Sequence, residues 1–125
     1  MFSVDLSHVI QHDMPVFPGT PAPSLESGAS IASDGYREKR LHFSSHTGTH
    51  MDAPAHILPH GKTLDQFSIE KFAGAACVLN VRELAGQEIG LTNLHQYKNQ
   101  IAAAEFVLLR SGWSSRWGST AYFAD

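Results

Sequence analysis

The chain has 125 residues and a mass of 13.7 kDa, with 42% hydrophobic and 17% charged residues, a composition typical of one globular domain over residues 1–125. Nine basic and twelve acidic residues give a net charge of −3 without any basic run, so nucleic acid is not an expected partner. There is no signal-peptide pattern and no apolar run near the ~20 residues of a membrane span, so we expect a cytoplasmic protein with no membrane partner.

The first part of the chain is predicted to be rich in extended structure. "FSVDLSHVI" alternates apolar and polar residues and predicts a half-buried strand over residues 2–10. The proline-rich "MPVFPGTPAPS" that follows is interpreted as an ordered loop or an extended arm rather than a linker. "REKRLHFSSHTGTHMDAP" is predicted to be extended, and "DQFSIEKFAG" to be a short helical turn that Gly74 ends.

The later part of the chain has the pattern of a βαβ unit. "AACVLNV" and "EFVLLRSGW" are apolar runs of strand length, so we predict two buried strands, the first of which holds Cys77 as a buried thiol. Between them, "LTNLHQYKNQI" has apolar residues at helical spacing, with Thr92 as the predicted N-cap. The chain then ends in an aromatic tail that is expected to pack either on the body or on another chain.

The segment "HTGTHMDAPAH", residues 46–56, holds three of the eight histidines. If it is a strand, one face projects His46, His50 and Asp52, and the glycine between the histidines leaves room for close approach to the backbone. Two imidazoles and a carboxylate suit a zinc or manganese ion with open coordination positions, as in a catalytic site. A helix is a weaker interpretation, because the glycine, two threonines and a proline oppose it.

A single histidine is more often a surface or hydrogen-bonded residue than a ligand, so the prediction depends on the whole constellation. His56 follows Asp52 by four residues, beyond the stiff "APA" link. A neutral histidine beside an activated water can take its proton and pass it to a leaving group. The residues alone also allow His56 to be a further ligand or to orient one.

"HTGTHMDAPAH" fills every position of H-x-G-T-H-x-D-x-P-x-H, and the chain thereby resembles the cyclase family of metal-dependent hydrolases, which includes bacterial kynurenine formamidase and isatin hydrolase. "VDLSHVIQHDMPVFPGTP", "GKTLDQFSIEKFAGAACVLNV" and "FVLLRSGWSSRWGS" are similar to family members as well. The resemblance implies an α/β fold, a cyclase-like domain of β/β/α layers with a mixed sheet and helices on one side. Family members continue well beyond this length, so the domain is expected to be incomplete at its C-terminus.

The resemblance also implies a site. His46, His50 and Asp52 would be ligands of a divalent metal, zinc first and manganese second, and His56 would be the general acid/base in hydrolysis of an amide, cyclic amide or ester. Phe17 stands where kynurenine formamidases tend to carry a tryptophan against the substrate ring, so it is the expected contact for a small-molecule amide. Family members form homo-oligomers, and an uncovered aromatic tail predicts the same here: Trp113, Trp117, Tyr122 and Phe123.

The remaining candidates are weaker. The second half of family members supplies another histidine and a glutamate to the metal centre, and no histidine here matches them. His42 shares the predicted strand face with His46, whereas His60 beside Gly61 is predicted to be a turn residue. Hydroxyls that could orient the ligands are common on strands: Ser44, Ser45, Thr47 and Thr49.

Three interpretations of the chain follow. It is a short hydrolase using one metal, a remnant that binds metal or self-associates without turnover, or a portion of a longer enzyme.

Overall fold

The structure, a computed structural model, describes residues 2–124. Contacts divide the chain into two compact units, residues 2–52 with 118–124 and residues 53–117. The described residues form four strands and three short helices: β1 Ser24–Ala29, α1 Ile31–Asp34, β2 Glu38–His42, β3 Ala76–Asn80, α2 Leu91–Leu94, α3 Lys98–Ala102 and β4 Phe106–Arg110. The predicted α/β class is confirmed, with one antiparallel and one parallel pair of strands.

In the first unit, β1 and β2 form an antiparallel pair whose register places Leu25 opposite Leu41. The helical turn α1 connects them. Its N-cap, Ser30, accepts a hydrogen bond from the N–H of Ser33, and Gly35 ends the turn at φ 76°. A glycine suits this position because its left-handed conformation is costly for residues with a Cβ.

The prediction of a strand over residues 2–10 is wrong. These residues form no strand, and Phe2, Val4 and Leu6 are 91%, 62% and 76% exposed. Alternating apolar residues form a strand only where a neighbouring strand completes the backbone hydrogen bonds. The proline-rich segment is an ordered loop as predicted, with a turn closed by the N–H of Thr20 on the carbonyl of Phe17 at 2.9 Å.

In the second unit, β3 and β4 pair in parallel, from Ala76 opposite Phe106 to Asn80 opposite Arg110. The helices α2 and α3 lie between them in the chain, so the predicted βαβ order is confirmed. The predicted N-cap, Thr92, is wrong. The helix begins two residues earlier than predicted, with Gly90 as its N-cap, and Asn93 Oδ1 accepts the Gly90 N–H at 3.0 Å.

Fewer residues of these strands are buried than predicted. Leu79 of β3 and Val81, just beyond its end, are 0% and 2% exposed, whereas Val78 is 59% exposed and no residue of β4 is buried. Cys77, predicted to be buried, is half-buried. The segment "DQFSIEKFAG" forms two 3₁₀ turns, Leu64–Gln66 and Ile69–Phe72, which confirms the predicted helical turn.

Candidate metal centre

The candidate site lies on a loop, residues 46–52, which we call the donor loop. It follows β2 as a series of bends, so the prediction of a strand here is wrong. Gly48 has φ 63°, in the left-handed region that reverses the chain direction locally. A turn at this glycine, rather than strand alternation, therefore brings the flanking side chains together.

The three predicted ligands converge on one point. His46 Nδ1 lies 2.8 Å from Asp52 Oδ1 and 3.2 Å from His50 Nε2. The third side of this triangle, from His50 Nε2 to Asp52 Oδ1, measures 3.4 Å. Within residues 2–124, these side chains form the one group of three or more metal-ligand residues close enough to share an ion.

These separations fit a small divalent ion. Metal–ligand bonds of about 2.1 Å place neighbouring ligand atoms about 3.0 Å apart at right angles and about 3.4 Å apart at tetrahedral angles. The observed edges, from 2.8 to 3.4 Å, span this range. Two imidazole nitrogens and one carboxylate oxygen are also a donor set typical of catalytic zinc, which leaves coordination positions open for water and substrate.

The loop itself sets the tautomer of His50. The Nδ1–H of His50 donates to the carbonyl oxygen of Gly48 at 2.8 Å. Because a carbonyl oxygen only accepts hydrogen bonds, Nδ1 carries the proton. In the neutral ring, Nε2 therefore has a lone pair, and it faces the metal-ligand atoms of His46 and Asp52. Such a bond fixes the ring orientation of metal-ligating histidines.

The donors are accessible to solvent, whereas the other side of the donor loop is covered. The side chains of His46, His50 and Asp52 are 40%, 31% and 53% exposed. A Cβ on Gly48 would lie 3.1 Å from the terminal methyl of Met14, which is buried. The ligand side chains are therefore open to an ion from solvent, while Gly48 between the two histidines lies against the buried Met14.

His56, predicted to be the general acid/base, belongs to the second unit. It is the last residue of the 3₁₀ turn Pro54–His56, and its N–H donates to the carbonyl of Ala53 at 2.9 Å. Gly61 packs so closely on this turn that a Cβ there would lie 2.5 Å from the carbonyl carbon of Pro54. His56 is thus carried on a short turn with a tight backbone contact.

Phe17, the predicted substrate contact, is 69% exposed in the first unit. Its ring meets that of Phe123 edge to face, with centroids 6.4 Å apart. This pair presents an accessible aromatic surface, and the assignment to substrate stays a prediction.

The other histidines do not join the donors. His42 ends β2 opposite Ser24 and is not part of the metal-ligand group among the described residues. His60 lies in a turn beside Gly61, as predicted. Both ring nitrogens of His12 face backbone carbonyls, of Pro23 at 3.2 Å and Leu25 at 3.1 Å.

Two features of the site escaped prediction from sequence. One is the bond from His50 to Gly48, for which the glycine between the histidines was the only available signal. The other is the side chain of Thr47, which is 4% exposed. Its neighbours in sequence gave no sign that this hydroxyl, unlike the other hydroxyls of the segment, is buried.

Comparison with known proteins identifies the family. The family described as "Putative cyclase" matches residues 4–125. The chain belongs to the cyclase family. The match covers nearly the whole chain, including the donor loop and the turn that carries His56.

Relatives within the cyclase family include kynurenine formamidases. The chain is 30% identical to that of Bacillus thuringiensis over 109 residues, which are 86% of this chain and 50% of the relative. It is 28% identical to that of Bacillus cytotoxicus over 123 residues, or 98% of this chain and 56% of the relative. The chain therefore spans about half the length of the curated relatives it matches.

Solved structures of cyclase-family proteins share the fold. Isatin hydrolase A from Labrenzia aggregata, determined with bound benzyl benzoate, superposes with a TM-score of 0.76 at 25% identity, over 96% of this chain and 54% of that one. An isatin hydrolase bound to the product analogue thioisatinate gives a TM-score of 0.78 at 20% identity. The cyclase-like fold predicted from sequence is confirmed. Among the described residues, no helix has the length and apolar character to cross a membrane.

Proposed function

We propose that this chain carries the metal-binding part of a metal-dependent hydrolase that cleaves an amide, a cyclic amide or an ester. The observation that carries the proposal is the triangle of donor atoms on His46, His50 and Asp52, with edges of 2.8–3.4 Å. The names of its relatives, kynurenine formamidase and isatin hydrolase, support the same class of reaction.

The donor loop would hold one divalent ion, zinc first and manganese second. When bound, such an ion lowers the pKa of water and polarises a substrate carbonyl. The donor set favours zinc, because imidazole nitrogen is a better ligand for zinc than for manganese, which prefers oxygen. His46 and His50 supply nitrogen, and the carboxylate of Asp52 offsets part of the charge of the ion.

The other two residues act on the substrate. His56 would take a proton from the attacking water and deliver it to the departing nitrogen or oxygen, which requires one neutral ring nitrogen at the start of the cycle. Phe17 would pack against an apolar or aromatic part of a small-molecule amide, and its 69% exposure leaves the ring available for this contact.

We also propose that the chain self-associates in the cytoplasm. Of the four aromatic residues of the tail, Trp113, Trp117 and Tyr122 are half-buried, so the tail offers less apolar surface than predicted. Further exposed apolar side chains lie at the start of the chain, where Phe2, Val4, Leu6 and Val9 are each more than 60% exposed. Exposed apolar surface, where it is contiguous, is typical of protein interfaces.

A second candidate function is metal binding without turnover. It is supported by the same triangle of ligand atoms, which can bind an ion whether or not a substrate is hydrolysed. A chain of this kind would bind metal or assemble but would not hydrolyse any amide.

The test is metal content per chain by elemental analysis, on the wild type and on His50→Ala and Asp52→Ala. We expect near-stoichiometric zinc or manganese that is lost in both variants and kept in His95→Ala, a histidine on the 3₁₀ turn His95–Tyr97. Hydrolysis of N-formyl amides and cyclic amides then separates the two candidates. Metal without turnover supports metal binding alone by this chain, and a chain that takes up no metal after reconstitution contradicts both metal-based functions.

A further inference from the structure

The side chain of Thr47 is an exception to the usual pairing of buried polar groups. It is only 4% exposed, and its hydroxyl oxygen has no hydrogen-bond partner among residues 2–124. Burial of a hydroxyl without a partner opposes folding, so native proteins satisfy nearly all such groups. Most buried hydroxyls of folded proteins have a partner, and the described residues supply none for this one.

The position of Thr47 links this hydroxyl to the donor loop. Thr47 lies between His46, a predicted ligand, and Gly48, whose carbonyl holds the ring of His50. A shift of the backbone at this residue would move both histidines. Whatever pairs with the Thr47 hydroxyl consequently helps to fix the separation of the donor atoms.

Two other hydroxyls of the segment are already accounted for. Thr49 Oγ1 accepts the N–H of His8 at 3.3 Å. Ser45, on the other side of His46, is exposed and reaches bulk water. Thr47 differs from both, because it has neither a partner in the described part of the chain nor access to bulk solvent.

We propose that the Thr47 hydroxyl binds a buried water molecule that braces the donor loop, which makes Thr47 a positioning residue of the candidate metal centre. Globular proteins hold roughly one buried water per 27 residues, usually on polar groups that lack other partners. A water molecule in this position would accept from the hydroxyl and have its own two hydrogens free to donate to backbone carbonyls, which would tie the side chain to the loop. The effect on metal rests on the proposed function, whereas the bracing itself does not.

Two substitutions separate the hydroxyl from the shape of the side chain. Thr47→Val keeps the shape and removes the hydroxyl, and Thr47→Ser keeps the hydroxyl and removes a methyl group. We expect Thr47→Val to raise the zinc Kd about tenfold, the lower end of the range for partners that orient metal ligands. Thr47→Ser should keep the wild-type Kd, and so should the control Ser45→Ala. In the metal-free protein, Thr47→Val should lower the Tm, followed by circular dichroism, by about 4 °C.

The opposite result overturns the proposal. If the hydroxyl has no partner at all, its removal relieves a cost, and Thr47→Val melts higher with an unchanged zinc Kd. Equal loss of zinc affinity in Thr47→Val and Thr47→Ser also overturns it, because the methyl group would then be responsible.

Two further measurements keep the test independent of the proposed function and of variant folding. If the wild type binds no metal, the proposed function fails, and the Tm comparison in metal-free protein still decides whether the hydroxyl is satisfied. In the wild type, NMR should detect a long-lived water in contact with the Thr47 methyl group. Absence of that contact overturns the proposal even if Thr47→Val does not fold.

Discussion

Gly48 has a conformation that few other residues adopt, and the convergence of the donors depends on it. At φ 63°, a side chain costs about 1–2 kcal/mol, and a Cβ would also lie 3.1 Å from Met14. We predict that Gly48→Ala lowers the Tm by about 5 °C and weakens zinc binding, because the loop must open to relieve both effects. Circular dichroism and zinc titration measure the two quantities.

Gly86→Ala is the matched control for this prediction. Gly86 has φ 79°, a Cβ added there would meet nothing within 4 Å, and the residue lies outside the donor loop. The control should lose stability and keep zinc affinity. If both variants bind zinc as the wild type does, the turn at Gly48 does not set the donor geometry.

For His56, the prediction concerns turnover and not metal. His56→Ala should keep the metal content of the wild type and lower kcat about 100-fold or more, the usual contribution of a general acid/base. Rates with an N-formyl amide, measured beside elemental analysis, provide the test. Loss of metal together with the rate would assign His56 as a ligand instead.

At the residue scale, the sequence predicted which side chains form the site better than it predicted how they meet. His46, His50 and Asp52 were identified by their chemistry and spacing, and the structure brings them together. Their placement on a strand was wrong, because alternation at positions 46, 48, 50 and 52 is also compatible with a turn at the glycine. The left-handed conformation of Gly48 is not determined by residue type alone, since glycine populates both signs of φ.

At the scale of elements, the turn Pro54–His56 is predicted to depend on Gly61. A Cβ on Gly61 would lie 2.5–2.6 Å from backbone atoms of Pro54 and Ala55, which cannot move without displacing the turn. Gly61→Ala should therefore lower kcat while metal content stays unchanged, and it should also lower the Tm. A variant with normal kcat would show that the turn tolerates the shift.

The helical turn α1 has a predicted pH dependence. The N–H of Ser30 and the hydroxyl of Ser33 donate to Asp34 Oδ2 at 2.9 and 2.6 Å, and these bonds, chiefly that from Ser30, hold the pKa of Asp34 below its usual 3.8. The pKa of Asp34 is lower in the folded chain than in the unfolded chain. The charged carboxylate therefore stabilises α1 at pH values above the unfolded-state pKa, and this contribution is lost as the pH falls through the folded-state pKa.

NMR titration of the Asp34 carboxyl carbon should give a midpoint below 3.8, and Ser33→Ala should move it upward. Asp34→Asn should remove the corresponding step from the pH dependence of stability. A wild-type midpoint at or above the usual value would mean that these hydrogen bonds do not persist in solution.

Elements were predicted best where the apolar pattern of the sequence matches the strand pairing of the structure. The strands β3 and β4 were found because two apolar runs flank a helical pattern, and the structure pairs them in parallel. The predicted strand at residues 2–10 failed, although its alternation is regular, because pairing depends on a neighbouring strand that the local sequence does not specify. The N-cap is Gly90 and not Thr92, and the side chain of Asn93 accepts the N–H of Gly90 at this end of the helix.

For the whole molecule, we predict a homo-oligomer that depends on the exposed start of the chain. Val4 is 62% exposed and Leu6 is 76% exposed, so a charge at either position should prevent burial in an interface. Light scattering should give a multiple of 13.7 kDa for the wild type and a smaller mass for Val4→Lys. Ser3→Lys, which adds the same charge at a polar position, should keep the wild-type mass, and a monomeric wild type would contradict the proposal.

The exposed faces of β3 and β4 affect how the folded chain responds to dyes that bind apolar surface. Val78 is 59% exposed, and Val107, Leu108 and Leu109 are between 41% and 48% exposed. Such surface binds anilinonaphthalene sulfonate, whose fluorescence is normally taken as a sign of a molten globule. This chain should therefore raise the fluorescence of the dye while it is native and should show a falling signal when it melts. Dye-based thermal-shift screens for ligands of this protein would then show inverted transitions.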